Sequence, residues 1–115
     1  MHATQLFKLL SDPTRLRCLS LLVTMDELCV CELTHALALP QPKISHHLGT
    51  LRKAELVCDR KEGLWIFYRI NPELSEWISD LLKMTVNSIN NEAPFANDAV
   101  TLSGMPNRPG SICNT

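Results

Sequence analysis

A chain of 115 residues has room for one compact domain and little beyond it, which excludes a large multidomain enzyme. Its apolar fraction of 45% is ordinary for a globular protein, no uninterrupted run approaches the ~18 apolar residues of a membrane span, and the start Met1-His2-Ala3-Thr4 lacks the pattern of an export signal. Net charge is only −1, yet residues 41–70 carry six basic and three acidic side chains while residues 71–115 carry two and five, so one local surface is suited to phosphate.

In chain order, Gln5–Leu10 reads as a short helix closed by Ser11-Asp12-Pro13. Pro13 fits the first position of a second helix with Asp12 as its N-cap, and Leu16, Leu19, Leu22 and Val23 then recur at helical spacing. After an acidic turn at Met25-Asp26-Glu27, a third helix is expected from about Val30 to Leu39, stopped by Pro40. Gln41-Pro42 repeats the start signal, and Ile44, Leu48 and Leu51 define the buried stripe of a fourth helix. Two helices joined by so short a turn form the helix-turn-helix pair that inserts its second member into the DNA major groove.

Leu56–Arg60 and Leu64–Ile70 are rich in β-branched and aromatic residues around a turn at Lys61-Glu62-Gly63, which predicts a β-hairpin. Asn71-Pro72 opens a last helix whose Leu74, Trp77, Ile78, Leu81, Leu82, Thr85, Val86 and Ile89 make an apolar stripe wide enough to want a partner chain. The expected class is therefore mainly α with a β-hairpin wing, in the order α-α-α-α-β-β-α. Residues 1–92 form the DNA-binding and dimerisation domain, and the Asn-, Ser-, Gly- and Pro-rich residues 93–115 form a flexible tail.

With Ile44, Leu48 and Leu51 inward, Lys43, His46, Thr50 and Lys53 point outward, flanked by Ser45 and His47. Gln41, Lys43, Ser45 and His46 lie nearest the helix N-terminus, where reading helices approach base edges and the dipole favours phosphate. Arg60 and Lys61 at the hairpin tip would clamp neighbouring backbone or minor groove. Each charge taken alone reads as a solvated helix face, and His47 reads equally as a hydrogen-bonded structural histidine. The constellation in order favours DNA.

Five cysteines, Cys18, Cys29, Cys31, Cys58 and Cys113, in a chain without an export signal point to reduced thiols in a cytoplasmic protein. Ser11-Asp12-Pro13-Thr14-Arg15-Leu16-Arg17, Glu27-Leu28-Cys29-Val30-Cys31-Glu32-Leu33, Gln41-Pro42-Lys43-Ile44-Ser45-His46-His47-Leu48 and Gly63-Leu64-Trp65-Ile66-Phe67-Tyr68-Arg69 together resemble the ArsR/SmtB family of metal-responsive repressors, over roughly Gln5 to Leu82. The resemblance implies a winged-helix homodimer, packed through its first and last helices, that represses a detoxification operon until an inducer binds. In the arsenite- and antimonite-sensing branch the signature is Cys-Val-Cys, here Cys29-Val30-Cys31, with a further cysteine three residues on, where this chain has Thr34. The branch that uses Asp and His on the last helix is disfavoured, because residues 71–92 contain no histidine.

Soft thiolates suit As(III) or Sb(III), so Cys29 and Cys31 are the expected ligands of the inducer, with no organic cofactor. Residues i and i+2 of a regular helix point about 200° apart, so both sulfurs reach one ion only if the first turn is irregular, which would couple capture to the reading helix. The helix N-terminus is expected to lower the thiol pKa values, opposed by Glu27 and Glu32. Cys113 on the tail has the reach to be a third ligand and reads equally as incidental, while Cys18 and Cys58 read as structural. The rival function on the same scaffold is a thiol redox sensor; no phosphate loop or catalytic cysteine signature points to an enzyme.

Overall fold

The computed structural model describes residues 1–109, which build six helices and three strands: α1 (Ala3–Leu10), α2 (Pro13–Met25), β1 (Glu27–Cys29), α3 (Val30–Leu37), α4 (Gln41–Lys53), β2 (Val57–Glu62), β3 (Trp65–Ile70), α5 (Glu76–Ile89) and α6 (Phe95–Ser103). This is a winged helix-turn-helix. Local chemistry sets the boundaries. Asp12 accepts a hydrogen bond from the Arg15 backbone N–H at 3.0 Å, with Pro13 in the first turn, so α2 starts where the sequence predicts. Leu6, Leu19, Leu33, Ile44, Leu48 and Leu51 are fully buried in one core. Among the described residues no helix is long and apolar enough to cross a membrane.

The helix-turn-helix is α3 and α4, joined by Ala38-Leu39-Pro40. Ala38 closes α3 in the left-handed conformation, φ 55° and ψ 42°, and its N–H donates to the Thr34 carbonyl at 3.1 Å. Holding a non-glycine residue there costs about 1–2 kcal/mol, offset by the packing of the two helices it joins.

Two elements depart from the expected order. Glu27, expected to end the turn at Met25-Asp26-Glu27, instead opens the strand Glu27–Cys29, which pairs antiparallel with β3 through Glu27↔Arg69, Leu28↔Tyr68 and Cys29↔Phe67. The sheet order is β1-β3-β2, so the wing is rooted in the segment that leads into α3. The hairpin turns at Gly63-Leu64, three residues later along the chain than Arg60-Lys61, with Gly63 at φ 59°.

The second departure is α6, which occupies part of the segment expected as a flexible tail. Its Leu102 joins the core, and its Asp98 is buried against Arg17 of α2, Nε to Oδ2 at 2.8 Å and Nη2 to Oδ1 at 2.7 Å. The same Nη2 donates to the Leu37 carbonyl at the end of α3 (3.1 Å). One guanidinium thus joins three helices, and the fork geometry satisfies both carboxylate oxygens of a buried acid.

Candidate functional site

α3 begins at Val30, as expected, which leaves Cys29 just outside it. Pairing with Phe67 holds Cys29 extended, φ −73° and ψ 152°, so it is the residue before the helix rather than its first turn. Cys29 and Cys31 are therefore not an i, i+2 pair on a regular helix, and their sulfurs need not point apart. The Cys31 thiol lies 3.0 Å from the Cys29 Sγ with no distortion of the helix.

Glu32 fixes this turn. Its buried carboxylate accepts the Cys29 backbone N–H on Oε1 at 2.9 Å and Arg108 Nε on Oε2 at 2.6 Å, so a residue beyond α6 braces the thiol pair. The Cys31 thiol is pushed up to about 12 by burial, then by its contact with the Cys29 sulfur and the nearby carboxylate of Glu32. For Cys31 that is the reverse of the lowering expected from the helix N-terminus, because desolvation beside a carboxylate outweighs one helix end. Cys18 is fully buried and likewise pushed up to about 12 by desolvation, which makes it inert. Cys58 is half-buried in β2, opposite Arg69. Cys113 lies outside the described residues. Among those residues no group of three or more His, Cys, Asp or Glu converges to hold a metal ion.

The thiol pair opens into a cleft of ≈ 620 Å³ between three elements. One side is Cys29, Cys31 and Thr34; a second is Gln41 and Ser45 at the start of α4; the third is the wing, with Leu64, Trp65 and Ile66. Two sets of residues that the sequence reading treats separately, the sulfur pair and the first DNA-reading positions, therefore share one cavity.

On α4, Gln41, Lys43, Ser45, His46, Arg52 and Lys53 are exposed, and Thr50 is half-buried with its hydroxyl donating to the His46 carbonyl at 3.2 Å. His47 departs from that face: it is buried, its Nδ1 3.3 Å from Arg15 Nη1 and its Nε2 3.9 Å from Asp12. Burial lowers its pKa, reinforced by Arg15 and only partly opposed by Asp12. The structural alternative for this histidine is the one the packing favours.

At the wing, Lys61 is exposed, but Arg60 is already engaged. Its guanidinium pairs with Glu27 at 2.7 and 2.9 Å and with Glu62 at 2.8 Å, and lies 4.4 Å from the Phe67 ring centroid. Arg60 ties β2 to β1 and holds the Glu27 carboxyl below its ordinary value. Sequence reasoning missed Glu32, Arg108 and the wing residues Leu64, Trp65 and Ile66. Only Glu32 carried a local signal, a glutamate three residues after a helix-opening residue, as in a capping box.

A family model described as "Bacterial regulatory protein, arsR family" matches residues 12–58. The chain is 48% identical over 105 residues to the arsenic resistance transcriptional regulator ArsR1 of Pseudomonas putida, spanning 91% of this chain and 80% of that protein. Among solved structures, HlyU from Vibrio cholerae superimposes with a TM-score of 0.67 at 32% identity, covering 76% of this chain and 90% of that one. The AntR antimony-specific transcriptional repressor superimposes with a TM-score of 0.64 at 28% identity, covering 76% and 77%.

Proposed function

We propose, from the premise that the chain belongs to the ArsR family of bacterial regulatory proteins, that it is a metalloid-responsive transcriptional repressor: a homodimer that binds operator DNA and leaves it when Cys29 and Cys31 capture As(III) or Sb(III). One observation carries the reading, the convergence of two thiols in a cleft whose facing wall is the start of the reading helix. Gln41, Lys43, Ser45, His46 and Thr50 meet the duplex from α4, with Lys61 on the adjoining wing. Phe7 on α1 and Trp77 and Met84 on α5 are exposed apolar side chains, which supports a second copy packing there.

The release mechanism follows from the shared cavity rather than from a distorted helix. An ion held on both sulfurs sits beside Gln41 and Ser45 and changes the space and charge that a DNA strand would meet. Inducer and operator then compete through differential affinity for one state of the cleft. The relatives named for arsenic and antimony support the choice of effector.

Inorganic As(III) has three exchangeable positions, and Cys113 is the reading's third ligand. Arg108, anchored on Glu32, stands five residues before it, and five residues span at most about 18 Å, enough to return to the pair within one protomer.

The test is anisotropy of a labelled operator duplex titrated with the full-length protein, with and without arsenite. Affinity should fall steeply with salt, because phosphate contacts release counterions. Arsenite should release the wild type, and the Cys29→Ser/Cys31→Ser protein should bind DNA but ignore arsenite. Normal arsenite release in that variant would overturn the assignment. The 3.0 Å sulfur contact also suits two-electron oxidation by hydrogen peroxide to a Cys29–Cys31 disulfide and two waters. Release by peroxide with no response to arsenite would favour that second reading.

A further inference from the structure

A second cavity, of ≈ 450 Å³, lies between the end of α2, the end of β3 and α5, and shares no lining residue with the thiol cleft. Successive strand residues point to opposite faces, so on β3 Tyr68 lines the first and Arg69 the second. Its volume falls in the range of small-molecule sites. The floor is apolar: Leu22 and Leu82 are buried, and Ile70 and Leu74 pack partly buried against the core. The charged side chains on its rim are Arg69, Lys83 and Asp26.

Arg69 is left over from the sheet. Its cross-strand neighbour is Glu27, the carboxylate that would ordinarily pair with it, but Glu27 gives both oxygens to Arg60 at 2.9 and 2.7 Å. Among the described residues neither Arg69, Lys83 nor Asp26 forms an ion pair. A solvated cation is ordinary on a surface. Two of them at the rim of a cavity floored by leucine and isoleucine are complementary to an acid with an apolar body. Nor does the exposed apolar face of α5 cover the site, since at 100° per residue Ser79 and Lys83 of its lining stand about 160° and 120° round the helix from Trp77.

On these grounds we propose that the cavity binds a small organic carboxylate, its charged group on Arg69 and Lys83 and its chain or ring over Leu22, Ile70 and Leu74. The site is a second input to the regulator, separate from the thiols. Its occupant joins β3, which carries the wing, to α5 through one ligand, whereas the thiol cleft touches neither Arg69 nor α5.

The test is isothermal titration calorimetry of the full-length protein with octanoate, butyrate and octanol. One octanoate should bind per chain, roughly tenfold or more tighter than butyrate, from the added apolar burial, and roughly tenfold or more tighter than octanol, which lacks the charge. Arg69→Gln/Lys83→Gln, altered only at exposed positions, should weaken octanoate roughly tenfold and leave octanol unchanged. Asp26→Asn removes the acid on the rim and should tighten octanoate roughly twofold. Cys29→Ser/Cys31→Ser should bind it as wild type does. Equal affinity for octanoate and octanol, several octanoates per chain with no response to the Arg69 and Lys83 changes, weaker binding in Asp26→Asn, or loss of binding with the thiols would overturn the inference. The octanol comparison needs no variant, so it stands even if a substitution disturbs folding.

Discussion

The first turns of α3 and α4 face the same cleft and are held in opposite ways. At α3 the buried Glu32 carboxylate is used on both oxygens, by the Cys29 N–H and by Arg108. At α4 the preceding residue is Pro40, which has no capping side chain, and the Lys43 and Ile44 N–H groups return only to its carbonyl, at 3.0 and 3.2 Å. The thiol side is fixed before any ligand arrives, whereas the reading side presents an uncapped helix end to an incoming phosphate. Coupling between the two then needs only contact inside the cavity.

Breaking the braced side has the largest expected effect. Glu32→Ala removes the partner of a part-buried guanidinium and uncaps the Cys29 amide, and should cost about 3 kcal/mol, read as a lowered urea midpoint with unchanged slope. The open side yields a smaller change of a different kind. Lys43→Ala should weaken operator binding roughly tenfold or less and reduce the dependence of log affinity on log salt by about one, while arsenite binding to the free protein is untouched. If Lys43→Ala altered arsenite affinity, or Glu32→Ala left stability intact, the contrast between the two turns would fail.

The smallest effect belongs to His47, beneath the reading face. Its folded pKa lies below the ordinary 6.5, so between the two values the unfolded chain binds more protons than the native one. Its contribution is therefore complete above that range and is lost as pH falls through the folded value. Stability by urea unfolding should decline as pH is lowered through the ordinary value of 6.5 toward the lower folded one, and His47→Gln should flatten that decline. A steeper decline in the variant would reverse the sign and return His47 to the exposed face.

What could be read from the sequence is what is local. Asp12-Pro13, Gln41-Pro42 and the Ile44, Leu48, Leu51 stripe fixed α2 and α4 because caps and periodicity act within a few residues. β1 escaped because three residues carry no periodicity and are made a strand by Tyr68 and Phe67, forty residues away. The position of Cys29 turned on that same pairing, and with it the whole geometry of the sulfur pair. α6 escaped because its segment is short and proline-flanked, and the carboxylate that seats it, Asp98, finds its partner 81 residues back in the chain. The cleft itself joins Cys29, Gln41 and Trp65, a coincidence that only the tertiary fold creates.

The three-way junction at Arg17 sets where the polypeptide can be cut. A fragment ending at residue 92 keeps every helix and strand named by the family resemblance, yet it leaves Arg17 without its carboxylate, uncovers the core at Leu102 and deletes the Arg108 arm. Such a fragment is an open half-shell around the sulfur turn rather than a minimal version of the regulator. Shortening the protein for crystallisation or for a biosensor would discard part of the receptor's own frame.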